Sequence, residues 1–203
     1  MLKIVIVDYG SGNLRSVQRG FDRLGIHAEI SGDPVRVSEA SHLVIPGVGA
    51  FSDCMSNLKK LDLLSPIREA IRAEKPYLGI CLGLQILFSE GTEFGVHPGL
   101  GIIPGQVIPF PKSELKIPHM GWNQTKIEQE TPFLKGIPDS TYFYFVHSYY
   151  GLPKEADWIA TTTEYGLQFP SAVVRDRLFA CQFHPEKSQQ MGLKILSNFA
   201  ELK

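Results

Sequence analysis

The sequence predicts an α/β fold: a central, mostly parallel sheet flanked by helices, with additional antiparallel strands in the C-terminal half. Three observations carry that prediction. The first half alternates short β-branched runs with amphipathic helical stretches, the spacing that crossovers between parallel strands require. Runs such as Lys3-Ile4-Val5-Ile6-Val7 and Leu43-Val44-Ile45 are almost continuously apolar, as strands covered on both faces are. Residues 89–125 then turn Gly- and Pro-rich and read as short strands and loops, so the later sheet is mixed.

Taken in order, residues 3–8 form the first strand and Tyr9-Gly10-Ser11-Gly12 a turn. Asn13 is placed to cap a helix running to about residue 24, with Leu14, Val17, Phe21 and Leu24 on one face and Gly25 as its stop. Residues 26–30 read as a second strand. Residues 42–45 read as a third, ending at Pro46-Gly47-Val48-Gly49. Helices are expected over about 50–64 and 66–73, the second opened by Pro66. Residues 77–80 form a fourth strand, and Leu84-Gln85-Ile86-Leu87-Phe88 reads as a helix start. Further strands are expected at 142–146, 158–163, 171–174 and 178–183, with a hairpin turn at Arg175-Asp176-Arg177. A last helix spans about 188–202, with Leu193, Leu196 and Phe199 on one face. No internal repeat or low-complexity linker interrupts the chain, and residues 1–203 are expected to form one domain.

The totals narrow the function. A formal net charge of −1 leaves no global attraction for nucleic acid or an anionic membrane. The first apolar run is broken by Lys3 and ended by Asp8, too short for a signal sequence, and no stretch has the apolar length to span a bilayer. Three cysteines, Cys54, Cys81 and Cys181, lie far apart, and their odd number leaves at least one free thiol, which suits a reducing cytoplasm.

One pentapeptide organises the chemistry. Gly79-Ile80-Cys81-Leu82-Gly83 places a thiol between a strand and a helix start, with glycine two residues to either side. This is the pattern of a nucleophile elbow carrying Cys in place of Ser. Alone, it also suits a buried structural thiol. A cysteine nucleophile needs a base and a group to orient that base. Of the six histidines only His184 has an acid so placed, in His184-Pro185-Glu186. Pro185 favours extended geometry at His184, and in extended chain residues two apart share a face. Both motifs fall at strand C-termini, where open α/β sheets bind ligands. Acyl transfer also needs donors for an oxyanion. The Leu82 N–H is one, and the Gly47-Val48-Gly49 loop offers others. No zinc-type ligand spacing is present, and Gly10-Ser11-Gly12 lacks the third glycine of a dinucleotide fingerprint, so neither a metal nor a nucleotide cofactor is expected.

Together these motifs resemble the class I, or triad, glutamine amidotransferases, whose flavodoxin-like fold is thereby implied. Further stretches carry the resemblance to the glutaminase subunits of imidazole glycerol phosphate synthases. They are Asp8-Tyr9-Gly10-Ser11-Gly12-Asn13-Leu14, Pro118-His119-Met120-Gly121-Trp122-Asn123, Val146-His147-Ser148-Tyr149-Tyr150 and Gln182-Phe183-His184-Pro185-Glu186-Lys187-Ser188. The resemblance covers essentially the whole chain. It implies a Cys81–His184–Glu186 triad that hydrolyses L-glutamine through a thioester. It implies glutamine-binding roles for Gln85, Glu93, Ser148 and Tyr149. It implies a heterodimer with a (β/α)₈-barrel cyclase that consumes the ammonia in histidine biosynthesis, with Asn13, Tyr144 and Lys187 near that partner. Glu93, Ser148 and Tyr149 are also the right chemical types to pair with an ammonium and a carboxylate. The motifs do not separate this reading from a paralogue that amidates a surface-polysaccharide sugar.

Overall fold

The computed structural model describes residues 2–112 and 114–202. Strand β1 (Ile4–Val7) is buried at every residue. Helix α1 (Leu14–Asp22) turns Val17 and Phe21 inward. Asn13 makes no side-chain cap bond, contrary to the sequence reading; its backbone carbonyl accepts the Ser16 and Val17 N–H groups, and its side chain stays exposed. Strand β2 (Ala28–Ser31) precedes helix α2 (Pro34–Glu39), which the sequence reading lacks. Its signal is Asp33-Pro34: the Asp33 carboxylate accepts the Val35 N–H, and proline needs no partner in the first turn.

Strand β3 (His42–Gly47) leads to helices α3 (Phe51–Lys60) and α4 (Leu64–Arg72). The helix expected over 50–64 breaks at Asp62, which takes a φ of 55° while the Leu63 N–H donates back to Leu58 and the Leu63 side chain is buried. Strand β4 (Tyr77–Cys81) then runs into α5 (Leu82–Gln85), a single turn rather than the longer helix expected from 84–88. Leu84, Ile86, Leu87 and Phe88 are all buried, so no polar face exists for a helix to show to water. The Ile86 and Leu87 carbonyls accept instead from the N–H groups of Leu100, Ile102 and Ile103.

The rest is strand-rich: β5 (Phe88–Gly91), β6 (His97–Pro98), β7 (Ile103–Pro109), β8 (His119–Ile127), β9 (Thr141–His147), β10 (Tyr149–Pro153), β11 (Ile159–Glu164), β12 (Gln168–Arg175) and β13 (Leu178–Cys181), then helix α6 (Gln189–Ala200). Among the described residues the main sheet has nine strands, in the order β2-β1-β3-β4-β13-β12-β11-β8-β9. From β2 to β13 neighbours are parallel, and from β13 to β9 they are antiparallel. The turn between β12 and β13 falls at Asp176-Arg177, as the hairpin reading has it. A second sheet, β10-β7-β5-β6, carries the Gly- and Pro-rich region.

Alternation along β1 divides the core. Ile4 and Ile6 join Phe21, Leu196 and Phe199 under α1 and α6, whereas Val5 and Val7 join Leu58 and Ile67 under α3 and α4. Strand β4 lies between β3 and β13, both parallel to it, with Gly47 opposite Cys81 and Cys181 opposite Ile80. The C-terminal ends of three adjacent strands therefore coincide. Among the described residues no helix is long and apolar enough to cross a membrane.

The turn out of β4 leaves no room for side chains. A Cβ at Gly83 would overlap the carbonyl oxygen of Ile45. Gly83→Ala is expected to cost about 3 kcal/mol or more, the upper end of overpacking penalties, read as a lowered denaturation midpoint with an unchanged slope.

Candidate active site

Cys81 ends β4 in a strained conformation, φ 55° and ψ −105°, and is buried. Its neighbours explain the glycines. A Cβ at Gly79 would lie 2.6 Å from the Gly83 carbonyl oxygen and 2.8 Å from Cβ of Ala180. The Tyr77 hydroxyl donates to that same Gly83 oxygen at 2.9 Å, which pins the turn from below. Cys54 and Cys181 are both buried; burial pushes the Cys54 thiol up to about 12 and Cys181 well above the ordinary thiol range, so neither is poised as a nucleophile.

His184 follows β13 and takes extended backbone angles, φ −104° and ψ 97°. The extended geometry stops there, because Pro185–Lys187 forms a 3-10 turn closed by the Lys187 N–H on the His184 carbonyl. Glu186 nevertheless reaches back, with Oε1 2.8 Å from His184 Nδ1. Both side chains are almost wholly buried, at 3% and 1% exposure. A carboxylate there assigns the proton to Nδ1 and leaves Nε2 as the working nitrogen. Among the described residues, His184 Nε2 and Glu186 Oε2 are buried and find no hydrogen-bond partner. Burial works against the imidazolium, but Cys81 and Glu186 outweigh it, and the His184 pKa is raised to about 10.

A cavity of about 290 Å³ opens over Cys81. Val48, Gly49, Leu82, Gln85, Glu93, Ser148 and Tyr149 all line it, so seven residues singled out in the sequence meet around the thiol. Pro118, Val146 and His147 line it too, without having been singled out as site residues. Glu93 also holds the start of a helix, since its Oε2 accepts the N–H of Phe51, the first residue of α3, at 2.9 Å. Burial and the nearby Glu93 carboxylate raise the Tyr149 phenol above its ordinary value. On the rim, Ser11 Oγ donates to the Val48 carbonyl at 2.7 Å, and Gly49 takes a φ of 102° that other residues rarely adopt. Gly47 packs behind the rim against Tyr9 and Leu82.

Asn13, Tyr144 and Lys187 do not line the cavity. Lys187 Nζ sits 5.5 Å from the centre of the Tyr144 ring, and Trp122 meets that ring in a T-shaped contact with centroids 6.3 Å apart. Met120, Trp122 and Tyr142 expose apolar surface on the same strand pair. Strands β8 and β9 alternate strictly here, so Phe143 and Phe145 are core while Tyr142 faces water.

A buried histidine pair backs the cavity. Asn123 Nδ2 donates to His119 Nε2 at 3.2 Å, His119 Nδ1 to His147 Nε2 at 2.9 Å, and His147 Nδ1 to the Tyr149 carbonyl at 2.8 Å. The carbonyl accepts only, which orders every donor behind it. Burial depresses His119 to about 4 and His147 to about 3, so both are neutral.

The family model for glutamine amidotransferase class-I matches residues 5–202. Among curated proteins, the chain is 52% identical to the imidazole glycerol phosphate synthase subunit HisH of Syntrophotalea carbinolica, covering 98% of this chain and 100% of that one. It is 50% identical to the HisH of Geobacter sulfurreducens, covering 100% of both. Among solved structures, a glutamine amidotransferase crystal structure superposes with a TM-score of 0.76 at 18% identity, covering 98% of this chain and 97% of that one. The structure of PurLQS from Thermotoga maritima superposes at 0.78 and 16% identity, with the same coverage. At these identities the solved structures speak to the fold.

The histidine pair has a consequence for stability. Folded values near 4 and 3 lie below the ordinary 6.5, so below pH 6.5 the unfolded chain binds protons that the folded chain refuses. The stabilisation is complete above pH 6.5 and is lost as the pH falls toward 4 and 3. The melting temperature is expected to drop across that window, with a shallower slope in His119→Gln.

Proposed function

The chain belongs to the class I glutamine amidotransferases, and from that premise we propose that it is the glutaminase subunit of an imidazole glycerol phosphate synthase. One observation carries the reading: the strained Cys81, the buried His184–Glu186 pair and the Gly47–Gly49 rim meet at the ends of three adjacent strands, in a chain that aligns end to end with HisH subunits.

The chemistry runs on these residues. Cys81 Sγ attacks the side-chain carboxamide carbon of L-glutamine. The developing oxyanion is met by the Leu82 N–H and by an N–H of the 47–49 loop. His184 protonates the departing nitrogen, the C–N bond breaks, and a glutamyl thioester remains. Water, deprotonated by His184, then releases glutamate. Glu186 holds the ring in the required tautomer throughout. Glu93 offers its charge to the α-ammonium, and Gln85, Ser148 and Tyr149 bind the other polar atoms of the substrate backbone. No metal or organic cofactor enters this scheme.

Ammonia goes to a (β/α)₈-barrel cyclase in a heterodimer, where it yields imidazole glycerol phosphate and aminoimidazole carboxamide ribotide. Asn13, Tyr144 and Lys187 face that partner, and the exposed Met120 and Trp122 extend the same surface. Residues 1–203 act as one glutamine amidotransferase domain, in the cytoplasm, where the free thiols of Cys54, Cys81 and Cys181 persist. Free running would waste glutamine. Ser11 Oγ holds the Val48 carbonyl, and hence the Val48-Gly49 peptide, in place; a flip of the preceding Gly47-Val48 peptide adds or removes the Val48 N–H as an oxyanion donor. We place control at that peptide: the isolated chain is poorly active, and the nucleotide-loaded cyclase turns it on.

Two measurements test the reading. Glutamate release should rise on the order of a hundredfold when the cyclase and its nucleotide are added, the scale of one oxyanion donor; equal rates would sink the regulatory part. Cys81→Ala should abolish glutamine-dependent synthesis by the complex while synthesis from ammonium salts persists. Retained glutamine-dependent synthesis in the folded variant would remove Cys81 as the nucleophile.

A further inference from the structure

The hydrogen bonds beside the cavity orient two amides, and the second aims a donor at the nucleophile. The Tyr149 main-chain carbonyl sets the order, because it can only accept. Gln85 Nε2 lies 3.1 Å from it, so Gln85 turns its NH₂ that way. The same nitrogen lies 3.1 Å from Gln182 Oε1. With its oxygen committed to Gln85, Gln182 must turn its own NH₂ to the other side. There Nε2 is 3.5 Å from Cys81 Sγ. The reversed amide would set NH₂ against NH₂ at Gln85 and oxygen against sulfur at Cys81. Gln182 is fully buried, and its backbone N–H is fixed on the Ser171 carbonyl at 2.8 Å, so neither water nor chain movement offers an alternative.

We propose that Gln182 is a further catalytic residue, whose amide N–H donates to Cys81 Sγ and stabilises the sulfur whenever it carries negative charge. This rests on Cys81 being the nucleophile. The donor is needed because His184 cannot serve alone. His184 gives its proton to the leaving ammonia, takes one from water, and is charged during only part of the cycle. Sulfur is anionic twice, before attack and again as the thiolate expelled from the tetrahedral intermediate of thioester hydrolysis. A neutral amide that keeps its proton is present on both occasions, and a hydrogen bond to a charged partner is among the stronger kinds. Gln85 then acts as a positioning residue, because it selects which end of the Gln182 amide meets sulfur.

Several other groups bear on the Cys81 charge: His184, Glu186 and Cys181 from the β13 side, Tyr9 from the turn after β1, and Glu93 and His147 across the cavity. The variants that test the proposal leave all of them in place. Iodoacetamide alkylation of Cys81 in the free chain, followed by peptide mass spectrometry across pH, reads the thiolate without glutamine. Gln182→Met keeps the side-chain length and removes the donor. The pH of half-maximal alkylation should move up by about one unit, the tenfold change expected for a hydrogen bond to a charged group. Gln85→Met keeps Gln182 but frees its amide to turn, and should move the profile the same way by less. Profiles that coincide with wild type in the folded variants overturn the proposal; if Gln182→Met does not fold, the Gln85→Met profile decides. Alkylation of Cys81 should also abolish glutamine hydrolysis. If hydrolysis survives complete alkylation, the nucleophile assignment fails, and the role of Gln182 fails with it.

Discussion

A left-handed backbone at Cys81 is the constraint on which the rest of this molecule depends. A non-glycine residue held there costs on the order of 1–3 kcal/mol and persists only where its surroundings over-determine it. The surroundings do so from three directions. Strand β4 is clamped between β3 and β13, Gly79 and Gly83 pack against each other and against Ile45 and Ala180, and Tyr77 ties its hydroxyl to the Gly83 carbonyl. What the strain secures is placement: the thiol stands off the end of the strand with cavity on one side and histidine on the other.

Parallel register then does most of the assembly. Because β3, β4 and β13 run the same way, whatever follows each of them emerges at the same end of the sheet. The glycine-rich rim, the elbow and the His184–Glu186 pair come from stretches far apart in the chain and need no long loops to meet. The antiparallel half contributes differently. Strands β12, β11 and β8 extend the sheet, and β9 comes back to the site: its Tyr144 carbonyl accepts the His184 N–H, and Val146 and His147, with Ser148 and Tyr149 just beyond, join the cavity wall.

Legibility followed the range of the interaction. Strand β1 and the elbow could be read because their cause is local, in a run of β-branched residues and in glycines beside a thiol. The His184–Glu186 pair was legible for the same reason, two residues apart, even though the backbone between them curls into a turn instead of staying extended. Helix α5 is shorter than its local sequence implies because what ends it lies elsewhere, in N–H groups of Leu100, Ile102 and Ile103 that capture the carbonyls of Ile86 and Leu87. Glu93 was legible as a charge for a ligand but not as a cap on α3, a bond across 42 residues of sequence. Gln182 stands in a quoted motif, but nothing local to it reveals a contact with Cys81. Its meaning depends on Gln85, 97 residues away, and on a carbonyl that neither residue's neighbours reveal.

The brevity of α5 carries one more implication. A long helix behind a nucleophile supplies a diffuse field, the summed dipole of many peptides, and loss of any one of them is diluted. With four residues, α5 offers only the N–H groups of its first turn and almost no summed dipole behind them. On the proposed assignment, charge on the Cys81 sulfur falls to individually placed donors, the Gln182 amide and the His184 ring. Such an arrangement is nearly indifferent to ionic strength and poorly buffered against mutation: each donor is a single point of failure, and the site can be tuned one amide at a time.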